Sequence, residues 1–497
     1  MTTLVELRPV RRWIRRTQAS HRERGEALGT AYTIVFCVGV AAAMFHEPLE
    51  AVFTPLVPHL SGVGALAAAT VCAALLFLAL RRLGPVTVSR PAAYFLLTAP
   101  VSRRLLLAPA LHTTATGTAL AAAAITFAVL GHAAASGSAV LVVTGALAGV
   151  LLTLLASAAQ RRPHLAAPAD GVARLALALG LAALVAEATG WTPPTIGGTP
   201  ATSVVLPLTG ALAVLATAAY LSAVRDIART PSAAILESAK TTGTLADSVY
   251  GMEPSFVADM LERRYWSRRR LRSTTLHRRL PPLTAQDLLL ARRRTPRLLW
   301  TAASTALPLL LTGAPNWLLA LTLVLGSALA ARATTATVKI DAANPVLLRL
   351  LGLDSRQAVR QRFWLPAVLA TSWATVSLAL LQLSGALPPG QWWLLGLSLG
   401  PIGAISALRA ARSGMVRNDL IPIDTPMGSL ATGPLLHAFI GIDLLLLALP
   451  TGIQLAQSLP AAFDMILVQT AIAIAGAQAY LNLTTDPGRL ELSARRR

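Results

Sequence analysis

The sequence predicts an all-α polytopic membrane protein of about twelve transmembrane helices, arranged as two parallel six-helix repeats with short interfacial helices. Three observations predict it. Some 54% of the residues are hydrophobic and only 13% are charged, whereas soluble domains carry roughly 25% charged residues. Apolar runs close to the ~20 residues that cross a hydrocarbon core recur along the whole chain. Lysine and arginine fall almost wholly in alternate loops, as the positive-inside rule requires. Strand-like alternation is absent, which argues against a β-barrel.

The chain opens on residues 4–18, where Leu7, Val10 and Ile14 share one helical face and Arg8, Arg11, Arg12, Arg15 and Arg16 take the rest. That pattern predicts an amphipathic helix lying in the inner interface. The run after it is too long, and too poorly followed by a cleavage site, for a cleavable signal, so it is expected to stay as an anchor. Apolar runs follow near 27–45, 62–80, 105–130, 138–159, 173–188 and 203–223, the fifth of them short. Loops 81–104 and 160–172 carry arginine, whereas loops 46–61, 131–137 and 189–202 carry neither lysine nor arginine. The N-terminus is therefore expected in the cytoplasm.

Residues 1–223 form the first predicted half, 224–296 a cytoplasmic Arg-rich linker, and 297–497 the second half. Within the linker the Ser, Thr, Gly and Asp content of 230–250 predicts loop, and Pro254 with Ser255 predicts a helix start. Thr284 and Asp287 fit a capping box that opens a short helix bearing Leu288, Leu289 and Leu290. The second half repeats the plan with runs near 298–312, 317–333, 363–383, 391–410, 433–450 and 463–483. The first two are short and joined at Gly313–Asn316, as an outer hairpin or a re-entrant one. An even number of crossings per half gives both halves the same orientation, with both termini cytoplasmic in the cell membrane.

A basic loop recurs at the same place in each half. Residues 87–104 read TVSRPAAYFLLTAPVSRR and residues 337–356 read TVKIDAANPVLLRLLGLDSR, sharing Thr-Val, Ala-Ala, Leu-Leu and Ser-Arg in order. The net charge of +21 is explained by such loops and by contact with anionic lipid, and no nucleic-acid partner is expected. Cys37 and Cys72 lie inside apolar runs, as small core residues.

Catalytic motifs are not found. Neither Lys240 nor Lys339 follows a glycine, so there is no nucleotide-binding P-loop, and neither HExxH nor GxSxG occurs. No metal or cofactor site and no enzymatic activity are predicted. Asp443, in GIDLLLLALP, is the deepest carboxylate of any run and a candidate intramembrane polar site. A proton relay there competes with a carboxylate that only caps or pairs. Gln382, Gln454, Gln469 and Gln478 are expected to be interhelical hydrogen bonders.

Pro100, Ser102, Arg103 and Arg104, after Leu96 and Leu97 and before a long apolar run, resemble a segment of type-2 ABC transporter permeases. In that family a Leu-Pro-Val-Ser-Arg-like stretch lies between the second and third membrane helices, within the coupling element that docks on the nucleotide-binding subunit. The second copy, with Asp354, Ser355 and Arg356, lacks the proline and puts Asp before Ser. The whole chain also resembles a family of bacterial twelve-span membrane proteins of uncharacterised function, through residues 96–104, the Arg-rich linker and residues 423–428. The first resemblance implies the permease of an ABC-2-type exporter, both halves in one chain, with ATP bound on separate ATPase subunits and a hydrophobic or amphipathic cargo. An ion-coupled secondary carrier using Asp443, and a non-transporting scaffold using the linker, are the other functions left open.

Overall fold

The structure is a computed structural model that describes residues 62–97, 102–130, 138–191, 202–250, 279–413, 423–425, 428–430 and 439–484, with a few isolated positions besides. The expected interfacial helix at 4–18, the run at 27–45 with Cys37, Pro100 and the helix start at Pro254 and Ser255 lie outside them. Contact clustering divides the chain into two compact units. Unit 1 gathers Met1–Leu184, Thr192–Arg264 and Asp424–Ser429; unit 2 gathers Val185–Trp191, Tyr265–Ile423 and Leu430–Arg497. The division falls inside the stretch 224–296, whose helices are shared between the units.

Unit 1 contains α1 (Gly62–Leu83), α2 (Arg90–Leu96), α3 (Arg103–Leu130), α4 (Ser138–Arg161), most of α5 (Pro163–Ala188), α6 (Thr202–Asp226) and α7 (Ser232–Tyr250). Unit 2 contains α8 (Pro282–Arg293), then α9 (Thr295–Ala303) running into a 3-10 turn at Ser304–Leu311. It continues with α10 (Asn316–Arg332), α11 (Ala336–Ala343), α12 (Pro345–Leu350), α13 (Ser355–Leu383) and α14 (Trp392–Arg412). A broken helix, α15 (Ile442–Leu445), a 3-10 turn (Leu446–Ala448) and α16 (Leu449–Ala456), precedes the last helix, α17 (Phe463–Leu483). Two three-residue strands, β1 (Ile423–Thr425) and β2 (Gly428–Leu430), pair with each other.

Among the described residues eight helices are long and apolar enough to cross a membrane, or nine when α10 and α11, bent by 64°, count as one. The protein is a polytopic helical membrane protein. Its surface agrees: Leu206, Leu208, Val214, Leu215 and Leu221 on α6 and Leu175 and Leu179 on α5 are exposed, the apolar face that lipid covers.

Four expectations change. The short run at 173–188 is the second half of a 26-residue helix starting at Pro163. Polar residues hid its first turns, and one of them, Asp170, accepts from Arg81 Nε of α1 at 3.0 Å. Of residues 230–250, Ser232–Tyr250 are the helix α7 rather than a loop: their hydroxyls bond back to their own carbonyls, Ser238 to Ile235, Thr241 to Glu237 and Thr244 to Lys240. The capping box at Thr284 does not form, because α8 starts at Pro282 and Thr284 donates instead to the Gln361 carbonyl at 2.7 Å. The run at 433–450 reaches on to Ala456 and is broken by the 3-10 turn at Leu446–Ala448, just before Pro450 in the first turn of α16.

Glycine pairs four residues apart set the closest helix contacts. In α4, Gly145 and Gly149 face α3, and a Cβ added at Gly149 would lie 2.6 Å from the Thr118 carbonyl oxygen. In α14, Gly396 and Gly400 face α13, and a Cβ at Gly400 would lie 2.6 Å from the backbone of Thr371. Such spacing puts both glycines on one helical face and lets backbones touch where lipid supplies no hydrophobic drive. Beside the first seam, α1, α3 and α4 line an apolar cavity of about 240 Å³ that includes Cys72, Thr126 and Thr144. In unit 2, Gln469 of α17 bridges the broken helix: its Oε1 accepts from Thr451 N at 3.1 Å and its Nε2 donates to the Leu447 carbonyl at 2.9 Å.

Gly149→Ala and Gly400→Ala are expected to destabilise the protein by about 1–3 kcal/mol through overpacking. Gly117→Ala, where an added Cβ meets nothing within 4 Å, is expected to be neutral or mildly stabilising. Melting temperatures in one detergent, compared across the three variants, check this.

Candidate functional site: the two basic loops

From Gly84 to Arg90 the first loop is pinned to α7 and to the end of α4. Gly84 adopts φ +81° at its start, and a Cβ there would meet the Ser238 side chain at 2.4 Å, so only glycine lets the turn lie against α7. The Gln160 amide then grips the backbone of Val86 from both sides, accepting from its N–H at 3.1 Å and donating to its carbonyl at 3.2 Å. Ser238 Oγ donates to the same carbonyl at 3.1 Å, and Thr87 and Thr242 hydroxyls meet at 3.0 Å.

Ser89 caps α2 by accepting from Ala92 N, and Pro91 occupies the first turn, where a missing N–H costs nothing. Arg90 then reaches across to α7, donating to Asp247 Oδ2 at 2.8 Å, Thr244 Oγ1 at 2.9 Å and the Lys240 carbonyl at 3.4 Å. Gly243 makes room for that guanidinium, since a Cβ there would lie 2.3 Å from Arg90 Nε. Tyr94 and Phe95 are 55% and 74% exposed.

Of the first-loop residues singled out from the sequence, Ser102 precedes α3 and its carbonyl accepts from Leu106 N at 3.1 Å. Arg103 donates to Ser232 Oγ at the start of α7. Arg104 is exposed.

The second loop is organised around a buried charge. Arg362, 3% exposed in α13, forks onto Asp341 of α11, with Nε to Oδ2 at 2.6 Å and Nη2 to Oδ1 at 3.2 Å. Its Nη1 donates to Asp287 Oδ1 of α8, and its Nη2 donates to Gln286 Oε1 at 3.1 Å. Thr337 Oγ1 adds a further bond to Asp287 Oδ1 at 2.8 Å. Gln361 completes the joint by accepting from Leu283 N at 3.1 Å.

Burial pushes the Asp287 carboxyl up from 3.8 to about 6, with the nearby Asp341 charge adding to the rise and Arg362 and Thr337 opposing it. One guanidinium faces two carboxylates, so below about pH 6 a proton on Asp287 balances the site. The network was not foreseen, because its members are spread over α8, α11 and α13 with no common spacing.

Asp354 and Ser355 serve the start of α13. Asp354 Oδ1 accepts from Gln357 N at 2.6 Å while Gln357 Oε1 accepts from Asp354 N at 3.3 Å, a complete capping box. Ser355 is buried and Arg356 is exposed. The two sets of loop residues belong to different units.

Asp443 sits in the first turn of α15, behind Gly441 at φ +94°. Its Oδ1 accepts from Gly441 N at 2.8 Å and its Oδ2 pairs with Arg409, in the last turn of α14, at 2.8 Å. Both side chains are partly exposed, at 44% and 41%. Among the described residues no group of three His, Cys, Asp or Glu comes together as metal ligands.

Arg362→Met would strand two carboxylates, and its expected cost is about 3–5 kcal/mol. Arg90→Ala breaks a half-exposed pair and should cost at most about 1 kcal/mol. Chemical denaturation of the two variants measures the contrast. Because the folded protein holds the Asp287 proton more tightly than the unfolded chain, its contribution is full below pH 3.8 and lost as pH rises through about 6. Asp287→Asn is expected to flatten that part of the melting-temperature profile.

No curated protein and no solved structure matches the chain. One family model covers residues 57–416, taking in both basic loops, the Arg362 network and both glycine seams. The chain therefore belongs to DUF6297, a family of unknown function.

Proposed function

We propose that this chain is the transmembrane permease subunit of an ABC-2-type exporter, working with separate ATPase subunits that bind the ATP. The observation that carries the reading is the first basic loop, a short helix between two spans. It is fixed by Gln160, Ser238 and Arg90 and leaves Tyr94, Phe95 and Arg104 exposed. A docking element must be stiff to pass on a push from a partner, and aromatic and arginine side chains dominate protein interfaces.

In this reading about twelve spans form two parallel six-helix repeats in the cell membrane, with both termini in the cytoplasm. The bent pair α10 and α11, the segment Thr295–Leu311, the broken helix Ile442–Ala456 and the apolar run at 27–45 would complete the eight long apolar helices. Two features support the duplication: the equivalent place of the two loops, and a glycine pair on α4 facing α3 as on α14 facing α13. The basic ends of α1, α4, α6, α10 and α14 support the orientation. An ion-coupled carrier built on Asp443 has less support, since that carboxylate is engaged by Arg409 and Gly441. The chain itself would contribute no catalytic group.

Arg104→Glu, alone and with Arg103→Glu, is expected to abolish co-purification of an ATPase subunit from the native host while leaving the melting temperature of the single variant unchanged. Retained co-purification would overturn the docking role. Asp443→Asn is expected to leave co-purification intact.

A further inference from the structure

We infer that α12, the short helix of the second basic loop, is seated in the anionic lipid surface, its aliphatic face in the bilayer and the arginines on and beside it at the headgroups. The helix is firmly built. Leu348 is buried against Leu283 and Ala358, the Leu353 N–H closes back on the Leu348 carbonyl at 3.0 Å, and Gly352 takes φ +71° to allow the turn. Yet Val346, Leu347, Leu350 and Leu351 are 64%, 56%, 78% and 66% exposed. At 3.6 residues per turn these four occupy an arc of about 140°, with Leu348 beyond it facing the protein. A rigid helix that holds four large aliphatic side chains away from its own unit needs an apolar medium to receive them.

Three observations identify that medium as lipid. First, connectivity keeps α12 at the membrane boundary: it lies between α10 and α13, and the chain leaves the axis of α10 by 64° as it enters α11, turning sideways where Ile340 is also exposed. Second, the charges suit anionic headgroups. Arg349, Arg356 and Arg360 are exposed around the helix, Arg360 also donating to Asn482 Oδ1 at 2.6 Å. Third, the face is made of leucine and valine, which are under-represented among the residues that anchor protein partners. The first loop offers tyrosine and phenylalanine instead. The two copies thus present different surfaces, and the second fits an interfacial anchor.

This goes beyond the docking reading and is tested separately from it. In the full chain with Cys37→Ser and Cys72→Ser, Leu347→Cys, Leu350→Cys and Arg356→Cys are each labelled with a nitroxide. The protein is then placed in nanodiscs of phosphatidylcholine with or without phosphatidylglycerol. Relaxation by dissolved oxygen and by a water-soluble nickel chelate reads immersion. At positions 347 and 350 the oxygen-to-nickel ratio is expected to be several-fold higher than at 356, and higher still with phosphatidylglycerol. Equal, nickel-favoured ratios at all three positions in both lipids would overturn the proposal. So would protection at 347 and 350 that appears only when an ATPase subunit is added, which would make α12 a protein dock.

Discussion

The base of unit 2 depends on one guanidinium kept from water. A charge as buried as that of Arg362 is tolerable only when its N–H groups find acceptors, and those acceptors come from two other helices. Asp341 and Thr337 commit α11, Gln286 and Asp287 commit α8, and Arg362 itself commits α13. Removing α13 would strand both carboxylates, and removing α8 or α11 would leave N–H groups of Arg362 without acceptors. Unit 1 meets the same architectural need with neutral groups. Gln160 and Ser238 hold a backbone, and the ion pair of Arg90 with Asp247 lies at the surface. The first loop is held by many modest bonds, the second by a few strong ones.

Much of this was legible in the sequence, for reasons that can be given residue by residue. Long apolar runs ending in Arg81 and Arg82, or in Arg409 and Arg412, announce spans because lipid forces backbone polar groups to pair within a helix. What was missed shares a cause: tertiary partners that change what a polar residue means. Asp170 breaks the apolar pattern of α5 until Arg81 is placed beside it. The hydroxyls of α7 argue for loop by propensity, yet Ile235, Ser238, Ala239 and Thr242, at intervals of three and four residues, form the face that receives the first loop. That periodicity was the available signal. Thr284 and Asp287 carry the letters of a cap, and both are used across helices instead.

The second loop's departures from the first also have physical content. Losing the proline and gaining Asp354 gives α13 a full capping box, worth about 1 kcal/mol at a helix start. The altered stretch is a well-built helix N-terminus that retains Ser355 and Arg356 in a new setting. Asp443 is similar: a carboxylate that reads as deep and isolated in sequence closes a four-residue helix and neutralises the last turn of its neighbour.

The glycine seams decide how each unit can flex. Helices whose backbones touch at Gly145 and Gly149, or at Gly396 and Gly400, have no side-chain layer to shear, so each pair behaves as a single beam. Any bending in unit 2 is therefore displaced to joints where helical bonding is already interrupted. Among them are the 3-10 turn at Ser304–Leu311, with Pro308 inside it, the 64° bend between α10 and α11, and the breaks around Leu446–Ala448. Within the described residues of unit 2, compliance falls on such irregular segments and stiffness on the seam.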